Sequence, residues 1–225
     1  MTTPSSPKQQ QRPLDAEQPA GPQRRVLWVA VGVVVAAVIA VVVILAATGG
    51  SDTPKKITLL QVQPVTISGD PLPTPEAGAP DNGPGKSVPR IDGRTFGSRR
   101  ISIKPGKPTL VVAINRADPE VEGEVKAIVQ WHHAELTPEA LNVVTLVTGP
   151  GRAGAADPVS SWLVREEWPF PVLVDDENSS AAAALGFVAT PGILLIDTDG
   201  VARYRVLGAL PIDRLVQEIK DQLGL

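Results

Sequence analysis

The apolar residues of this chain fall into three kinds of run. Residues 26–48 form one unbroken stretch of Val, Ala, Ile and Leu, interrupted only by Trp28, Gly32 and the closing Thr48, with no charge. Thr109–Ile114, Asn142–Val147 and Val172–Val174 are short, rich in β-branched residues and bounded by polar positions, the pattern of strands buried on both faces. Two segments repeat at helical spacing instead: 119–135 through Val121, Val125, Ile128, Val129 and Trp131, and 211–223 through Ile212, Leu215, Val216, Ile219 and Leu223.

Shorter signals complete the order. Asp157-Pro158 reads as a helix cap followed by proline at the first helical position, predicting a helix to about Trp168. Residues 179–185 predict a short helix. Residues 192–196 and 201–206 flank Thr198-Asp199-Gly200, and Ile91-Asp92-Gly93-Arg94 predicts a second hairpin, turning at Asp-Gly. The succession β-α-β-α-β-(α)-β-β-α defines an α/β domain, a mixed sheet flanked by helices, over residues 89–225. Partial alternation predicts a short strand within 57–67. Dense Gly and Pro mark 69–89 as linker, so that 49–88 reads as a linker region ahead of the domain. Gly85-Lys86-Ser87 ends like a phosphate loop, but position 80 is Pro where a glycine is required.

The unbroken run has its own meaning. Twenty-three residues in helical form reach about 35 Å, enough to cross a hydrocarbon core of about 30 Å. It exceeds a signal-peptide core and follows a polar tail of 25 residues, so it predicts an uncleaved single transmembrane helix at 26–48. Arg24 and Arg25 abut its start, which places the Gln- and Pro-rich tail 1–25 in the cytoplasm, disordered, and the rest outside. Residues after the span carry 17 basic and 22 acidic groups, a balance that argues against nucleic acid. There is no cysteine, which excludes a disulfide framework.

Several stretches together resemble the thioredoxin superfamily, in particular membrane-anchored TlpA-like or redoxin-type extracytoplasmic proteins of the actinobacterial kind. They are Gly85-Lys86-Ser87-Val88-Pro89 with Asp92-Gly93, Gly106-Lys107-Pro108-Thr109-Leu110-Val111-Val112, Trp162 to Pro169, Val172-Leu173-Val174-Asp175-Asp176, and Gly186-Phe187-Val188-Ala189-Thr190-Pro191 with Leu195-Ile196-Asp197. The resemblance covers about residues 60–222. It implies a thioredoxin-like sheet, a cis Thr190-Pro191 bond, and a peptide-binding edge facing the start of the first domain helix. The family's Trp-Cys-Pro-X-Cys motif falls on Ala117-Asp118-Pro119-Glu120-Val121, with the Glu-Val that often follows kept as Glu124-Val125.

Thiol–disulfide exchange needs a thiolate, and neither Asp118 nor Val121 supplies one. Two readings of Asp118 stand: a helix cap worth about 1 kcal/mol, or an acid at the mouth of a retained groove whose other wall is Thr190-Pro191. Arg116 reads as a solvated loop residue or a recruiter of acidic ligands. His132 and His133 are adjacent on one helix and point apart, so they suit no shared metal. Asp175-Asp176-Glu177 reads as a solvated turn or a weak cation site, and 149–154 as a flexible loop. No metal and no cofactor are expected. The leading expectation is an envelope module that binds or scaffolds proteins, redox or assembly factors among them. Two alternatives are the oxidoreductase that family resemblance implies, and a non-redox enzyme using Asp118 and Glu120.

Overall fold

The computed structural model describes residues 59–149 and 158–225; the tail 1–25, the span 26–48, Asp157 and most of the 149–154 loop lie outside the described residues. Among the described residues no helix is long and apolar enough to cross a membrane. Eight strands and four helices are described: β1 Thr66–Ser68, β2 Arg90–Arg94, β3 Arg100–Ile103, β4 Thr109–Ile114, α1 Glu120–His133, β5 Asn142–Val147, α2 Val159–Arg165, β6 Val172–Val174, α3 Ser180–Ala184, β7 Gly192–Ile196, β8 Ala202–Leu207 and α4 Ile212–Leu223.

The strands form one mixed sheet in the order β1-β2-β6-β5-β4-β7-β8, with β3 paired to β2. β4, β5 and β6 run parallel, while β7 is antiparallel to β4 and β8 to β7. Every residue of the central strand β4 is buried. Its alternate side chains feed two cores. Leu110, Val112 and Ile114 pack with Val121, Val125 and Ile128 of α1, Trp162 of α2 and Leu215 and Ile219 of α4. Val111 and Ala113 pack with Ile91, Ile103, Leu173, α3 and Phe187. Strands sandwiched in this way need apolar residues on both faces, which is why they read as continuous apolar runs.

Three local expectations are corrected. The first hairpin does not turn at Asp92-Gly93; both lie inside β2, and the chain reverses over Thr95–Arg99, where Thr95 N–H donates to Arg99 C=O. A side chain at Gly93 would stand 3.1 Å from Leu173 carbons, so that glycine serves packing instead of the turn. Helix α2 ends at Arg165, short of Trp168, and Pro158 is its cap residue with extended ψ 144°.

The segment read as a linker at 69–89 is packed onto the domain. Leu72 and Val88 are buried in the second core. Beneath the segment lies Arg205 of β8, its side chain fully buried. It forks onto Asp81 (Nε to Oδ2, 2.9 Å) and donates to Pro73 C=O at 2.8 Å and Leu185 C=O at 2.9 Å. Pro73 has no N–H to donate but keeps its carbonyl as an acceptor, and here a guanidinium takes it up. The strand expected within 57–67 reduces to β1, which pairs with β2 (Ile67 opposite Ile91).

Candidate functional site

The loop from β4 to α1 is built by its own polar side chains. Asn115 Oδ1 accepts from Ala117 N–H at 3.0 Å, and Asn115 C=O accepts from Asp118 N–H at 2.9 Å. Close approach fixes the Asn115 amide, since any side chain at Gly149 (φ +74°) would run into it. Pro119, which has no N–H to leave unpaired, is the residue before the first helical residue. Asp118 therefore caps from one position further out: its Oδ1 accepts from Glu120 N–H at 3.0 Å. Glu120 and Glu122 add negative charge to the first turn.

The second carboxylate oxygen reaches across the molecule. Thr190 Oγ1 donates to Asp118 Oδ2 at 3.0 Å, joining residues 72 positions apart. The Thr190-Pro191 peptide bond is cis. The Phe187 ring occupies the space that a side chain at Gly192 would need, seating the loop between α3 and β7. Val188 is 61% exposed, and among the described residues neither Ala189 nor Thr190 commits its backbone N–H or C=O to a hydrogen bond. The two loops singled out in the sequence, 118–121 and 190–191, thus meet.

Their members do different things. Asp118 and Thr190 are half-buried, whereas Val121 is 1% exposed and belongs to the core. Glu120 points to solvent. Arg116, read as a loop residue, is half-buried with its guanidinium carbon 4.6 Å above the Trp162 ring, a cation–π contact. The Trp162 indole N–H in turn donates to Glu166 at 3.0 Å.

Glu124, below Asp118 on α1, is a feature the sequence reading passed over as a mere marker. It is 5% exposed; Oε2 accepts from Leu210 N–H at 3.1 Å, and Oε1 has no partner among the described residues. Burial pushes its carboxyl up, only partly opposed by that one N–H. Of the run 175–177, read as a solvated turn or weak cation site, Asp176 and Glu177 reach the surface, but Asp175 does not. It is 2% exposed and accepts N–H bonds from Asp176, Ala181 and Ala182 at 2.9 to 3.0 Å, closing the start of α3. Burial raises its carboxyl too, against the pull of those donors. His132 and His133 end α1, with His132 edge-on to Phe170. An open cleft of about 420 Å³, lined by prolines with Asp70 and Lys86, lies between 69–73 and 86–89 and includes none of these groups.

No family model matches the chain, and no curated protein matches it. Solved structures do. StoA from Bacillus subtilis is similar with a TM-score of 0.50 and 15% identity, over 60% of this chain and 98% of its own. A proposed thiol:disulfide interchange protein, DsbE, from Chlorobium tepidum gives 0.51 and 17%, over 63% and 98%. A thiol:disulfide interchange protein from a Bacteroides species gives 0.51 and 15%, over 63% and 91%. The described domain therefore has the thioredoxin-like fold, and it has that fold in a chain without cysteine.

Proposed function

We propose that this protein is a membrane-anchored, extracytoplasmic thioredoxin-like module that binds a partner protein through the Asp118–Thr190 face and carries out no thiol chemistry. The observation that carries the reading is the Asp118–Thr190 hydrogen bond. It holds the start of α1 against the cis-proline loop while the backbone of Ala189 and Thr190 stays uncommitted and Val188 stays exposed. An extended segment adding alongside that loop would find free donors and acceptors, the chemistry of strand addition. The apolar segment 26–48 and Arg24-Arg25 support an anchor with a cytoplasmic N-terminus.

Photocrosslinking from position 188 in native membranes tests it. A discrete adduct that is lost in Asp118→Ala and Thr190→Val supports the reading; adducts indifferent to both changes overturn it. The oxidoreductase reading fails on the absence of cysteine, and insulin reduction by the purified chain would restore it.

A further inference from the structure

Charge on the β2–β3 hairpin is segregated from the rest of the chain. Residues 90–107 hold six cations and one acid, so the remainder of a chain of net charge −3 carries 15 basic and 23 acidic groups, or −8. The register sets Arg94 opposite Arg100 and Asp92 opposite Ser102. Like charges directly across a ladder cost stability. The one acid is already occupied: Asp92 takes the forked Arg90 and the Ser102 hydroxyl, and Arg90, then Ser102, with a smaller contribution from Lys104, hold its carboxyl at about 2. Arg94, Arg99 and Arg100 form no ion pair with a carboxylate among the described residues, and Lys104 acts on Asp92 only at longer range.

Basic residues on an edge strand such as β3 discourage unwanted strand pairing. That accounts for Arg100, but not for Arg94 on the inner strand β2, and not for the apolar groups beside it. Leu60 N–H donates to Phe96 C=O in the hairpin turn at 3.1 Å, and Leu59 and Leu60 are 42% and 44% exposed. Cations and half-exposed leucines together form an amphipathic surface suited to a lipid head-group layer.

We propose that the β2–β3 hairpin, with Leu59 and Leu60, docks on the anionic head groups of the bilayer entered by residues 26–48, an inference that rests on the anchor reading above. Ten residues, 49–58, separate that segment from Leu59, a tether of at most about 35 Å. The tether keeps the hairpin at high effective concentration near the surface. Each basic side chain that reaches an anionic layer strengthens association about fivefold. Ile114, Val147, Val174 and Arg94 lie in one cross-strand row, and because β2 runs antiparallel to β6 the turn after Arg94 heads back toward the start of β6.

The absence of cysteine allows a single reporter. A side chain at Gly97 meets nothing within 4 Å, so Gly97→Cys, carrying a fluorophore, reports the hairpin turn, and Lys220→Cys reports α4. The full chain is reconstituted into vesicles of neutral lipid or of neutral plus anionic lipid, each with a head-group quencher. Quenching at position 97 and not 220, in anionic vesicles only and reversed by high salt, is expected. It should be lost in Arg99→Gln/Arg100→Gln/Lys104→Gln. Arg100→Glu, which faces Arg94 and relieves the like-charge pair, should keep the fold and still weaken quenching severalfold. Equal quenching in both lipids, or quenching indifferent to these changes, overturns the proposal, as does protection of the label only when an acidic protein is added. A chain that fails to float with neutral vesicles overturns the anchor and the docking together; one that floats without quenching overturns docking alone.

Discussion

Two polar ties join distant parts of this domain, and they are built to different standards. Arg205 and Asp81, 124 residues apart, meet over a guanidinium with no exposed surface, which also gathers the Pro73 and Leu185 carbonyls. Asp118 and Thr190, 72 residues apart, share one hydroxyl-to-carboxylate bond in half-buried surroundings. The first places four donor contacts around a guanidinium closed to solvent, with the Asp81 carboxylate partly exposed. The second holds two loops together but leaves the backbone groups of Ala189 and Thr190 beside it uncommitted, the feature on which the proposed partner binding rests.

The contrast can be broken from either side. Arg205→Ala leaves a partly buried carboxylate and two carbonyls without their donor and should cost about 3–5 kcal/mol, read as a shifted urea midpoint; a loss under about 1 kcal/mol would make the fastening incidental. Asp175→Ala removes the acceptor of three N–H groups at α3 and should cost about 2–3 kcal/mol by the same measurement. Asp118→Ala should cost about 1 kcal/mol and Thr190→Val about 0.5–1 kcal/mol. A double-mutant cycle should return a coupling of about 0.5 kcal/mol, and strict additivity would deny the bond a role in solution.

The smallest effect is the pH dependence of Glu124. Its carboxyl titrates above the ordinary range because burial disfavours the charge, so the folded chain holds the proton more tightly than the unfolded one. The stability this contributes is present below the unfolded value, about 4.3, and lost as pH rises through the folded value. Urea unfolding between about pH 4 and 8 should show Glu124→Gln gaining on the parent chain as pH rises. A parallel pair of curves would mean that Glu124 is not titrating in this range. Asp81 has the opposite sign: burial raises its carboxyl, but bonds from Arg205 and Gly83 outweigh that and lower it, so its contribution is lost as pH falls.

Sequence periodicity located β4, β5, β6, α1 and α4 because each buries a continuous or a 3.6-spaced apolar face, and burial is what periodicity encodes. Segment 69–88 escaped because it has only two buried apolar side chains, Leu72 and Val88, and is held from below by an arginine far along the chain. The one local trace was Arg205 itself, a charge among the apolar residues of β8. Asp92-Gly93 carried a turn signature, yet Leu173 across the core required the glycine in mid-strand. The site was legible at Asp118, Pro119, Val121, Thr190 and Pro191 only through resemblance. Nothing in periodicity joins Asp118 to Thr190, and nothing in it predicts that Glu124 is buried with one N–H donor.

The fastening at Arg205 also bears on the order in which the chain assembles. Bringing residue 81 to residue 205 closes a loop of more than half the protein, and that entropy must be spent before the contact returns anything. The parallel strands and α1 meet over shorter separations and can collapse first, with residues 69–88 laid down afterwards. Weakening the fastening should then leave the folding rate almost untouched and appear as faster unfolding. The strap would set how long the native domain lasts more than how quickly it forms.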